Sequence, residues 1–517
     1  MKKASIFVLL TATAVSAQNA AVMTDRAAAR FLDQATWGPT PASIAQLQQT
    51  GIANWLAAQF ALNTSDLPDQ AVLGSDGKAN RDLTPVQAAF FQNTLTGQDQ
   101  LRQRVAFALS QMWVVSSVST KSAYAFPPYW RLFRDNAFGN YRDIIKALTL
   151  SPAMGNYLNM ANNNKGNSAK GTAANENYAR ELMQLFTVGL TQLNPDGSAV
   201  LDSNNNPVPT YNQAIVTATA RALTGWTYPT APDAKAKTNN PAYYIGTMFA
   251  VEAEHDTTSK SIIGGVTIPA GQTAELDLSS VLDALMAQKT MAPFVSKQLI
   301  QHLVTSDPSP AYIQRVSTVF LDNGSGVRGD MKAVITAILT DAEARAGDNG
   351  SSAANASFGH MREPVLFMAN LLRGLNATVG ASSAINRYST ELGQNLFAPP
   401  TVFSYFSPLY TLESGEPAPE FQIYSAQTAA DRADIINSIL YSVLDKSTTV
   451  NLTPFYPSGN DLSGMVDNIS YTFLHHAMSS SLQAAAISAA TAATGAKAQA
   501  QAALYVVLTS SEYQIVQ

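Results

Sequence analysis

The densest chemistry in the chain lies in Asn175-Glu176-Asn177-Tyr178-Ala179-Arg180-Glu181-Leu182. Tyr178, Leu182, Leu185 and Phe186 recur at three-to-four spacing, which predicts a helix with one apolar stripe. At about 100° per residue, Glu176, Arg180 and Gln184 fall on the opposite face. Glu176 and Arg180 form an i,i+4 pair, which on a solvated face adds only about 0.3 kcal/mol. Glu181 differs, because it flanks the stripe. A carboxylate there is expected to be partly buried and to need a partner. Arg221, in Ala220-Arg221-Ala222-Leu223-Thr224-Gly225-Trp226, is the partner the sequence offers. Paired carboxylates can act as acid and base in glycoside cleavage. Glu176 and Glu181 stand about 140° apart on one helix, so they cannot form that pair alone. Glu181 with Glu254 or Asp256 could.

Glu254-His255-Asp256 is a second polar spot, between two strand-like runs. Oxygen and imidazole together suit a divalent metal; the same residues also suit a loop fastening. The expectation is one catalytic cluster of Glu181, Arg221, His255 and Asp256, with Glu176 and Arg180 nearer its rim as ligand-binding residues. The other histidines read as structural. His302 flanks an apolar helix face, His360 opens a helix-start network with Arg362 and Glu363, and the adjacent His475 and His476 cannot share a helix face. A third feature is the proline- and aromatic-rich loop Ala398 to Pro408, preceded by Leu392-Gly393-Gln394. Its prolines pre-set the backbone. Exposed, its Tyr405 and Phe406 would contact a sugar or a Pro-rich partner; buried, the loop is a lid over the core.

These residues must be held by mostly helical elements. Apolar positions at helical spacing run through 41–60, 101–115, 140–150, 211–225, 278–286, 293–304, 311–321, 330–339 and 363–375. The first is interrupted near Gly51. Pro293 and Pro364 sit at helix starts, where proline is tolerated, and Asp330 reads as an N-cap. Residues 479–503 are alanine-rich and predict an exposed helix leading into 504–507. Strand patterns are confined to 190–209, with Asn194-Pro195-Asp196-Gly197 as a turn, and to 243–268. The expected fold is mainly α, a single multi-helical body over residues 18–517 with small β-hairpin insertions near 190–209 and 243–268.

Composition narrows the function. Of 517 residues, 46% are hydrophobic and only 13% charged, against roughly 25% charged in an average soluble chain. High-charge disorder is excluded, and the net charge of -5 offers no basic footprint for nucleic acid. The chain has no cysteine, so disulfides, iron–sulfur clusters, thiolate zinc sites and a lipid-anchored cysteine are excluded. Lys2 and Lys3, an apolar run from Ala4 to Val15 and the small residues Val15-Ser16-Ala17 make a three-part signal peptide over residues 1–17. The expected location is therefore periplasmic or extracellular, with no membrane span. Gly324-Ser325-Gly326-Val327-Arg328-Gly329 matches a dinucleotide fingerprint only literally, since a helix and not a strand precedes it. There is no nucleotide or haem signal.

Phe31-Leu32 with Ala35-Thr36-Trp37-Gly38-Pro39-Thr40 resembles the opening motif of the bacterial family called domain of unknown function 1800. The segments Arg102–Ser110, Asn175–Gly189, Arg221–Trp226, His255-Asp256 with Lys260, and Leu392–Pro408 resemble its other motifs, in order along nearly the whole chain. The resemblance implies an exported, mainly helical protein and transfers no catalytic residues. After Pro400 many members have a Gly-Trp pair where this chain has Tyr405-Phe406, so a ligand held by that loop would differ. Family members often occur beside sulfatase-like exported proteins, which implies such a partner and work on surface polymers. The functional expectation is a protein that acts on or binds an extracellular or cell-surface polymer such as a polysaccharide. The alternative is a non-catalytic surface or assembly scaffold.

Overall fold

The computed structural model describes residues 23–348, 358–381, 384–475 and 478–516. The signal peptide expected over 1–17, and His476, lie outside the described residues. The body is mainly α. Its centre is the helix Gln100–Met112, which buries every residue except Ser110. Around it pack Asp25–Ala35, Pro41–Ala61, Phe126–Asn136 and Met291–Leu303. Trp37, just beyond the first of these, lies 5.3 Å from the Phe107 ring and 5.4 Å from that of Phe90. Large aromatic side chains here supply much of the apolar burial that holds a chain without disulfides.

Local signals account for many helix ends. Gly51 interrupts the helix Pro41–Ala61 with φ 73°, a conformation that glycine adopts without steric penalty. The Asp330 carboxylate accepts from the amides of Lys332 and Ala333 and starts Met331–Thr340. The alanine-rich stretch departs from expectation. It forms two helices, Ser480–Thr491 and Ala496–Leu508, that pack on each other across Gly495 at φ 91°. The second buries Ala500, Ala503, Leu504, Val507 and Leu508, so it is core and not an exposed arm.

Strand is limited to short antiparallel pairs. Trp226–Thr227 pairs with Phe249–Ala250, and Lys260–Ser261 with Thr267–Ile268. Within 190–209 the chain is held by the bridges Thr191↔Pro209, Leu193↔Ala199 and Leu201↔Pro207. Two further pairs join segments distant in sequence. Thr378–Val379 pairs with Thr448–Thr449, and His360–Met361 with Ile515–Val516. The last of these brings the end of the chain beside His360. No helix among the described residues is long and apolar enough to cross a membrane.

Candidate functional site

The residues singled out by sequence separate into three groups. In the first, Glu176 precedes the short helix Asn177–Glu181. Its carboxylate accepts from Thr217 Oγ1 at 2.6 Å, Gln213 Nε2 at 2.8 Å and Arg180 Nη2 at 3.1 Å. The Thr217 hydroxyl, with the Gln213 and Arg180 donors, holds Glu176 below the ordinary carboxylate range. This is a partly exposed tie to the helix Gln213–Ala222.

Glu181 is half-buried, and its Oε2 has no hydrogen-bond partner. Burial raises its pKa, and only the Arg180 charge opposes the rise. Its neighbours are phenols: burial raises Tyr157 and Tyr211, and the Glu181 charge adds to both rises. The pairing expected with Arg221 is therefore corrected. After Glu181 the chain enters a π-helical turn, Leu182–Thr187. That wider turn breaks the 3.6-residue period, so Met183 and Thr187 are buried while Leu185 is only partly so. Such turns recur at functional sites.

In the second group, Arg221 Nε donates to Asp256 Oδ2 at 2.7 Å, and Nη2 reaches Ser259 O at 3.2 Å and the Thr258 hydroxyl. Burial would raise Asp256, but the Arg221 and Thr258 hydrogen bonds outweigh it and hold the carboxyl well below its ordinary range. His255 is fully buried and turns away from Asp256. Its Nδ1 lies 3.0 Å from Thr224 O and its Nε2 3.1 Å from Asp277 Oδ2, which also accepts from Lys260 Nζ at 2.7 Å. Gly225, at φ 88°, lets the backbone pass: a Cβ there would stand 3.0 Å from the His255 amide nitrogen. Both imidazole nitrogens are thus committed, and among the described residues no three His, Asp or Glu side chains gather as metal ligands. The arrangement is a closed lock between helices.

The third group is the loop. Tyr405 and Phe406 are buried, and the Tyr405 hydroxyl donates to Asn395 O at 2.8 Å. The loop is therefore a lid and not an exposed platform. Under it lies a polar site that the sequence left unassembled. Arg104, on the central helix, is fully buried and donates to His302 O at 2.6 Å, while its Nε and Nη1 have no partner. Burial lowers it to about 10 against the pull of Glu363, Asp33 and Glu420. Glu363 precedes the helix Pro364–Gly374 and accepts from Gln111 Nε2 at 3.1 Å and Gln394 Nε2 at 2.5 Å. Burial raises it, and the Arg104 charge opposes.

Glu420, in the 3₁₀ turn Pro419–Ile423, is 3% exposed. Its Oε2 accepts from Ser306 Oγ at 2.8 Å, and its Oε1 stands 3.9 Å from His360 Nδ1. Burial, with the Glu363 charge adding to it, pushes Glu420 up to about 8. Burial and the Arg104 charge push His302 and His360 down to about 3. At neutral pH the site therefore holds a protonated carboxyl beside neutral imidazoles. Two spaces flank this site, and Glu420 lines the first of them. One is a small internal cavity of about 20 Å³ lined by Gln111, His302, Phe406 and Glu420 itself. The other is an open cleft of about 440 Å³, whose wall includes Ser306 and His360, the two groups that face the Glu420 carboxyl. Ser404 borders the cavity at φ 70°, an uncommon backbone state that clusters at functional sites.

The sequence carried partial signals for this site. His360, Arg362 and Glu363 are a knot of charge in a charge-poor chain, followed at once by the apolar helix Pro364–Gly374. Glu420 follows two prolines within four residues, Pro417 and Pro419. Nothing local connects either to Arg104.

Residues 30–515 match the model of the family described as a protein of unknown function, DUF1800. No curated protein matches the chain, and no solved structure does.

Proposed function

We propose that this chain, which belongs to the DUF1800 family, works outside the cytoplasm as a hydrolase of a polymer such as a polysaccharide, with Glu420 as its general acid. The observation that carries this reading is a carboxyl pushed up to about 8 behind the wall of a cleft of about 440 Å³. A carboxylic acid kept protonated at neutral pH, beside an opening that admits substrate, is how folds run acid chemistry at pH 7. Glu420 would hand its proton to the leaving oxygen as the scissile C–O bond breaks. Water entering by the cleft would supply the oxygen of the new bond and return a proton to the Glu420 carboxylate. Phe421 along the cleft is partly exposed and offers an apolar face of the kind on which sugar rings rest. Removal of a signal peptide ending at Ala17 would place this site outside the cytoplasm.

The test is a screen of protein beginning at Gln18 against polysaccharides and esters, with and without divalent metal, beside Glu420→Gln. Bond cleavage by the wild type and its loss in a folded Glu420→Gln support the reading. A variant as active as the wild type overturns it. Export is checked separately, by N-terminal sequencing of the cell-envelope form; finding Met1 there refutes it.

A scaffold role is the second reading, favoured by the closed pairing of Arg221 with Asp256 and of Asp277 with His255 and Lys260. A wild type that neither cleaves nor binds any polymer would leave this reading in place.

A further inference from the structure

We infer that the cleft beside Glu420 selects amine-bearing polymers over acidic ones, and that Glu416 at its mouth sets this choice. The inference rests on the reading of the chain as polysaccharide-active. Among the described residues no lysine or arginine lines the cleft, and its titratable side chains are His360 and Glu416; Arg30, stacked on the Phe358 ring, is paired with Asp348. Glu416 is exposed, yet its position is fixed by a tight hairpin. The Leu412 amide donates to Glu416 O at 2.9 Å, the Gly415 amide donates to Leu412 O at 2.9 Å, and Thr411 bridges Pro417. A hydrogen bond from Ser414 holds the Glu416 carboxyl below its ordinary range, so it is charged throughout neutral pH.

A second carboxyl stands near. Asp307 follows the cleft residue Ser306; burial raises its carboxyl, Lys297 opposes the rise, and the Glu416 charge adds to it. The Lys297 charge acts on Asp307, and among the described residues no basic group is paired with Glu416. His360 is uncharged at neutral pH. The mouth thus presents negative charge to an apolar-walled cleft with a neutral acid beyond it. An ammonium group on a sugar ring is attracted there, while a uronate carboxylate is repelled.

The experiment is calorimetric titration of the protein with three oligosaccharides at low and high salt. They are the β-1,4-linked hexamer of glucosamine, its fully N-acetylated counterpart and hexagalacturonate. The wild type is expected to bind the amine hexamer up to about fivefold more tightly than the acetylated one, the most a single exposed ion pair supplies. Hexagalacturonate should bind weakest, and added salt should shrink the preference. Glu416→Gln should bring the amine and acetylated hexamers level and leave acetylated binding unchanged. Equal binding by the wild type, or a preference that survives Glu416→Gln, overturns the inference while the polysaccharide reading stands. Failure of the wild type to bind any of the three overturns both.

Discussion

Glu420 Oε1 lies 3.9 Å from His360 Nδ1, and both side chains are almost wholly withdrawn from solvent. At neutral pH this is not an ion pair. Burial keeps the carboxyl protonated, with a pKa of about 8, and the imidazole neutral, with a pKa of about 3. The same low dielectric disfavours charge on either partner. What remains is a neutral acid facing a neutral imidazole, with the Arg104 cation nearby bonded to a backbone carbonyl and the Arg362 charge adding to the depression of His360.

Glu420→Gln should stabilise the protein while it removes activity. Unfolded, this carboxyl ionises near 4.5; folded, near 8. Between those values the native state binds the extra proton, so this group makes stability fall as pH rises from about 4.5 to 8. Above pH 8 the accumulated cost is constant, on the order of 5 kcal/mol. Denaturant unfolding across that range should show a slope in the wild type that is flatter in the variant.

His302 and His360 bend the profile the other way. Each is depressed to about 3 from an ordinary 6.5. Below pH 6.5 the unfolded chain takes up protons that the native state refuses, so their contribution is complete above 6.5 and is lost as pH falls toward 3. In the Glu420→Gln background, thermal melts should therefore show stability rising from about pH 4 to 6.5. A flat profile there would contradict the neutral assignment of both rings.

Asp277, which the structure adds to the group around His255, is its most sensitive carboxylate. It is fully buried and anchors His255 and Lys260 at once. Asp277→Ala leaves a buried ammonium without its counter-ion and should cost about 3–5 kcal/mol. Asp277→Ala with Lys260→Met removes both charges and should recover much of that loss. Urea midpoints of the single and double variants measure the difference.

Glu181→Gln should raise the melting temperature slightly at pH 7. The carboxyl is raised by burial, with Arg180 as the cation that opposes the rise, and one of its oxygens is unpartnered. Ionisation there opposes folding above the ordinary carboxylate range, and an amide removes that cost. At a pH low enough to protonate the wild-type residue the two melts should converge. A lower melting temperature at pH 7 would reveal an ionic partner for Glu181.

Local chemistry is legible in the sequence. The Gly51 interruption, the Asp330 cap and the Glu176–Arg180 tie all depend on residues within four positions of one another. Helical periodicity likewise identifies the mainly α body, because burial of one face repeats with the helix itself. The tertiary structure decides which charges meet. Arg221 lies 35 residues from the carboxylate it binds, and Glu181 is left with tyrosines. The site at Glu420 is built from still longer closures. Hydrogen bonds span 198 residues from Arg104 to His302, 252 from Gln111 to Glu363 and 114 from Ser306 to Glu420. Periodicity reports only that a face is buried, and the π turn after Glu181 shifts even that phase. The partner of a buried charge is set by how distant helices pack, and packing also sets the desolvation that keeps Glu420 a protonated acid.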